Sequence, residues 1–253
     1  NIRCSNGFIH RMAEVVTPRP NMASLIASKP NVSKYNKLLE RFCAPYPDRN
    51  PDQSGSVTMR YNELYGTQVD TVFTKRFFSQ KSVGGSPLNQ TPAGKAVIGT
   101  LKYDPGWNAY YAGLAGEGNI AMQKDMGVMM VPSNEAMNTY WNGEDGNGSV
   151  LKNYYGEWEN VPNNVIAELI NVNMLSSFIS SVPSKFNNIL NDANDPMGIN
   201  IADVDSVWLG CNGAVYLTNK VFTPTKFISV SYPPLINETM KIVDWAINQL
   251  QYN

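Results

Sequence analysis

The chain has 253 residues, of which 43% are apolar and 16% charged, with a net charge of −1. That near-neutrality lacks the basic field that phosphate backbones require, so no nucleic-acid partner is expected. No run approaches the ~18 unbroken apolar residues of a membrane span, so no transmembrane segment is expected, while the length suffices to bury a core without staples.

Asn1 rather than Met opens the chain, which we read as the mark of a removed upstream part. Residues 6–17 are expected to form a strand that Asn6-Gly7 turns into and Thr17-Pro18 ends. Short helices follow. Leu25 and Ile26 fall in a first one; Tyr35, Leu38, Leu39 and Phe42 share one face of a second, with Ser33 placed to cap it. Residues 56–130 read mainly as strands, among them Val57–Tyr61 and Val69–Phe73, punctuated by Gly84-Gly85, Thr91-Pro92 and Asp104-Pro105-Gly106. Val128–Val131 suits a strand buried on both faces. Ser133 then caps a helix that carries Glu135 in its first turn. Residues 162–190 predict two or three short helices, one with Val165, Ile166, Leu169 and Ile170, another with Leu175, Phe178, Ile179 and Val182. Strands return at 204–209 and 214–222. A last helix, capped by Asn237, carries Ile242, Val243, Ala246, Ile247 and Leu250 on one side.

One phrase occurs twice. Ser5–Pro18 reads SNGFIHRMAEVVTP and Cys211–Pro224 reads CNGAVYLTNKVFTP; Asn6 falls on Asn212, an ungapped offset of 206 residues. Repetition of this kind points to duplicated units. The expected organisation is residues 1–18 as the terminal strand of a preceding unit, 19–224 as one complete domain with an insert over about 52–125, and 225–253 as a linker and first helix of a following unit.

Three stretches resemble the fasciclin-type adhesion domain. Val128–Met137 (VMMVPSNEAM) is similar to that family's first signature, a buried strand running through Pro-Ser-Asn-Glu-Ala into a helix. Asn212–Pro224, and Asn6–Pro18 before it, resemble the closing signature. The helices at 22–43 resemble the family's opening. The Tyr-His pair usual between the signatures is missing, so the receptor binding of animal members is not expected to carry over; the long insert is more like bacterial surface versions. The resemblance implies an α+β fold, a fasciclin-like β-sandwich or wedge with surrounding short helices and a long inserted β-hairpin region. It also implies a non-enzymatic role outside the cell.

The residues offer little chemistry of their own. His10 is the single histidine, so any Ser-His or Cys-His dyad would have to use it. Cys4, Cys43 and Cys211 form neither a disulfide framework nor a zinc pattern and read as small thiols, a Cys4–Cys211 bridge requiring the two repeat strands to lie together. Asp145–Ser149 has the alternating oxygens of half a calcium loop, but Val150 stands where the loop's glycine belongs, so a solvated turn is expected. Asp192, Asp195, Asp203 and Asp205 read as turn chemistry, with an acid pair for hydrolysis as the enzymatic alternative. Trp107, Tyr110 and Tyr111, and also Trp141, Tyr154, Tyr155 and Trp158, are core aromatics or, if exposed, platforms for sugar rings. Asn31, Asn89, Asn147 and Asn237 open glycosylation triplets, which matter in a secretory setting alone.

The chain is therefore expected to be an adhesion or interaction module, one of several tandem repeats, with no catalytic residue, metal or cofactor. Its partners would be a surface or matrix protein or glycan and neighbouring repeats of the same polypeptide. It would stand at the cell surface as part of a lipoprotein, anchored in the outer membrane through the missing N-terminal part. The alternative is a carbohydrate-binding module using Trp107, Tyr110 and Tyr111.

Overall fold

The computed structural model describes residues 2–11, 19–81, 88–106, 127–144, 149–191, 194–228 and 238–250. It is a mixed α+β structure whose centre is a four-stranded sheet. That sheet is ordered β8 (Met174–Leu175), β7 (Gly127–Pro132), β10 (Gly213–Thr218) and β9 (Val204–Leu209). β7 and β10 run parallel, with Val128 beside Ala214 and Val131 beside Leu217; β8 and β9 flank them antiparallel. Every residue of both central strands is buried. Continuous apolar runs such as Val-Met-Met-Val belong in that position, because helices and loops cover both faces of a parallel pair.

On one face, Met129, Val131, Val215 and Leu217 pack against helices α1 (Met22–Ala27), α2 (Ser33–Leu39), α4 (Asn134–Asn142), α5 (Ser149–Tyr155) and α6 (Asn163–Val172). Tyr35, Leu38, Leu39 and Phe42 enter this core together, as their spacing predicts. On the other face, Val128, Met130, Ala214 and Tyr216 lie under Phe186, Ile189, Ile199 and Phe222. Ser133 caps α4 by accepting from the Ala136 amide, and Gly143 closes it in the left-handed region at φ 75°.

Several expectations are corrected. Val57–Tyr65 is a helix, α3, rather than a strand. Ser56 caps its start by accepting from the Met59 amide and Gly66 ends it at φ 63°, so local capping outweighs the β-propensity of Val57 and Thr58. Ser33 is the first helical residue of α2, not its cap, and its hydroxyl lies at Asn134 instead. Leu175, Phe178, Ile179 and Val182 share no helix. Asn173 ends α6 with its side-chain amide donating to the Leu169 and Phe222 carbonyls, and Leu175 is drawn into β8. The described part of 52–125 is not a set of hairpins. β4 (Phe73–Phe77) pairs back onto β3 (Cys43–Pro47), β5 (Ser79–Lys81) runs parallel to β6 (Leu101–Tyr103), and isolated bridges complete the region.

The repeated phrase folds alike in its described part. β1 (Ile2–Cys4) and β2 (Gly7–Ile9) form a hairpin apart from the central sheet; β9 and β10 form the second. Gly7 and Gly213 follow the turns at φ 159° and 158°. Their surroundings differ. Asn212 is buried, accepting from the Met22 amide at 2.9 Å and donating to the Pro105 carbonyl at 2.9 Å. A Cβ on Gly213 would meet the Gly127 carbonyl oxygen at 2.4 Å and the Met22 sulfur at 2.6 Å, whereas one on Gly7 meets nothing within 4 Å. Residues 12–18 of the first copy lie outside the described residues. The C-terminal helix α7 (Lys241–Leu250) leaves Ile242, Val243 and Trp245 exposed.

Gly213→Ala therefore costs about 3 kcal/mol or prevents folding, as overpacking against fixed backbone does. Gly7→Ala carries the same backbone term without the clash. Chemical denaturation of both variants checks this, and equal losses would contradict the packing difference.

Candidate functional site

The sequence candidates scatter when placed in the fold. Trp107, Tyr110 and Tyr111 lie outside the described residues, as do Asp145–Gly148, Asp192 and Asn237. Trp141 is buried and stacks on Trp158 at 4.3 Å between ring centroids, beside buried Tyr140. Tyr155 is half-buried against the same core and Tyr154 meets it edge-on at 5.0 Å. Trp141, Tyr155 and Trp158 are wall material rather than platforms, whereas Tyr154 is 47% exposed. Of the acids, Asp203 is a capping group: its carboxylate accepts from the Asn200 amide at 2.8 Å and lies 3.5 Å from Lys220 Nζ. The Asp195 amide donates to Asn191 in a turn, and Asp205 projects from β9 into solvent. None of Asp195, Asp203 and Asp205 lines the clefts described below. Among the described residues, no three or more His, Cys, Asp or Glu side chains gather as a metal site would require.

A buried carboxylate and a half-buried guanidinium meet in the framework instead. Asp104 accepts from Arg76 Nε at 2.7 Å and from the Gly106 amide at 2.9 Å. Burial pushes the Asp104 carboxyl up while Arg76 pulls it down, which describes a structural ion pair holding β4 to the end of β6. The clefts are open to solvent; one of about 370 Å³ lies between α1 and β4, lined by Asn21, Ser24, Phe73, Lys75 and Phe77. Another of about 210 Å³ lies at the end of α6, lined by Lys102, Glu168, Asn171, Leu175 and Asn191. Asn171 is already committed there, accepting from the Lys102 amide and donating to the Thr100 carbonyl.

What the structure brings to the surface is apolar, and the sequence reading missed it. Val57, Tyr61, Leu64 and Tyr65 lie along one side of α3; Leu64 is 74% and Tyr65 64% exposed. The spacing i, i+4, i+7, i+8 ordinarily marks a core-facing stripe. Here the helix is held from its other side by polar bonds. The Thr58 amide and hydroxyl both donate to Asp48, keeping its carboxyl below the ordinary range, and Asn62 fastens residues 67–69. Tyr61 and Tyr65 stand with ring centroids 4.7 Å apart. A second exposed strip lies on β9, at Val207 and Leu209. Period-3.6 reading of 57–65 would have found the first; nothing in the sequence says that β9 ends the sheet.

The three half-buried cysteines are not joined by disulfides, so no Cys4–Cys211 bridge forms. Burial and the neighbouring Glu40 carboxylate push the Cys43 thiol up to about 11. It stays protonated where its unfolded counterpart ionises, so this group's contribution to stability falls as pH rises from about 9 towards about 11. Alkylation of the native chain at pH 9, mapped by mass spectrometry, leaves Cys43 unmodified until the chain is unfolded; prompt native labelling would contradict the placement.

No family model, no curated protein and no solved structure matches the chain.

Proposed function

We propose that the chain is a non-enzymatic, fasciclin-type interaction module, one of several in tandem, serving adhesion at the cell surface as part of an outer-membrane lipoprotein. The observation that carries this reading is the closing hairpin present twice. In one copy Asn212 and Gly213 are locked between α1 and β7; in the other Asn6 and Gly7 stand exposed, the same turn without a body against it. A chain built of such units gains attachment by linkage, since joined weak sites raise avidity without new contacts. The fasciclin sandwich or wedge is supported by the neighbouring places of its two signatures, which meet as β7 and β10.

A second reading, a carbohydrate-binding module, is favoured by the exposed Tyr61–Tyr65 pair, which offers ring faces with polar tips alongside the sequence candidates Trp107, Tyr110 and Tyr111.

Attachment assays separate the two. Beads densely coated with the chain are expected to hold to matrix-protein surfaces about a hundredfold more strongly than the soluble chain does. Failure of coated beads on every matrix and glycan surface would sink both readings. Attachment to glycan alone, lost in Trp107→Ala or Tyr65→Ala, would replace the first with the second.

A further inference from the structure

We infer that the outer edge of β9 is a self-association site, through which two copies of this chain join their sheets antiparallel about a two-fold axis. The sheet has two edges of unlike character. At one, β8 is two residues long and leaves little backbone to pair with. At the other, β9 runs for six residues, Val204–Leu209, and among the described residues it pairs with β10 alone. Long edge strands are ordinarily guarded by lysine, proline or an inward charge. β9 has one charge, Asp205, and neither lysine nor proline.

Its side chains alternate. Val204, Ser206 and Trp208 are half-buried, while Asp205, Val207 and Leu209 face out. Val207 and Leu209 are 46% and 50% exposed although their neighbours on β10, Tyr216 and Ala214, are buried. The exposed pair therefore continues the covered layer to its margin and stops there uncovered.

A second copy fits this edge because the strand is complementary to itself. With the axis at Val207, Val207 opposes Val207, Asp205 lies across from Leu209, and Ser206 from Trp208. No like charges are opposed, and branched residues meet at the centre. The result is one sheet of twice four strands, closed by symmetry. The contact is independent of the adhesion reading: a monomer that attaches to surfaces and a dimer that attaches to none are separable results.

The test is sedimentation equilibrium of the intact chain under reductant, from micromolar to submillimolar concentration. The mass is expected to rise from 28.0 kDa towards twice that value. The Val207→Lys, Leu209→Lys double variant should bind itself at least about tenfold more weakly, with an unchanged circular dichroism spectrum. Hydrogen exchange of the unsubstituted chain supplies a readout that needs no variant: amides within 204–209 slow as concentration rises. A 28.0 kDa mass throughout overturns the proposal and leaves the edge to a strand of another protein. So does a dimer without slowed exchange in β9, a dimer indifferent to both lysines, or growth beyond two copies.

Discussion

The parallel pairing of β7 with β10 is the constraint on which the described fold depends. Two strands separated by some eighty residues must be brought into register before either can be covered. Parallel strands cannot be joined by a tight turn, so the intervening chain has to cross over, and here it carries α4, α6, β8 and β9 as it does so. Both strands are then buried along their whole length. Asn212 fixes the start of this pair by bonding to the first helix on one side and to the Pro105 carbonyl on the other. Gly213 is required there because the Gly127 backbone passes where a side chain would be. One buried amide and one missing side chain thus set the register of the sheet and the position of α1 together.

The parts of the fold legible in the sequence are those governed by burial. Val128–Val131 reads as a doubly buried strand because nothing else accommodates four large apolar residues in a row, and Ser133 reads as a cap because Pro132 and the acid at 135 frame it. The face of Tyr35, Leu38, Leu39 and Phe42 is plain for the same reason. The failures come from local caps and distant polar bonds that composition does not announce. Val57–Tyr65 is helical through two local caps and a polar tie from Thr58 to Asp48, ten residues upstream. A strand-like composition gives no warning of that tie. Phe178, Ile179 and Val182 have helical spacing but follow Asn173, whose side chain ends α6 through a bond to Phe222, forty-nine residues on.

The candidate surfaces show the same division. Trp141 is buried against half-buried Trp158 because aromatic rings bring much area to a core, and sequence alone does not show which side a ring faces. Asp203 stands two residues before Asp205, yet it caps a turn and pairs with Lys220 while Asp205 projects from a strand. Exposure is decided by what the rest of the chain covers, and that depends on topology.

Topology also accounts for the uneven surface. α3 lies outside the helices that cover the central sheet and is secured by Asp48 and Asn62, so its apolar stripe has nothing to pack on within the described residues. β9 is the last strand because the β9–β10 turn returns the chain into the centre of the sheet, next to β7, leaving β9 beyond it. An inward return of this kind places the closing strand in the core and its antiparallel mate at the rim. The rim strand then inherits a sequence suited to half-burial, with valine and leucine on the side that the covering layer does not reach.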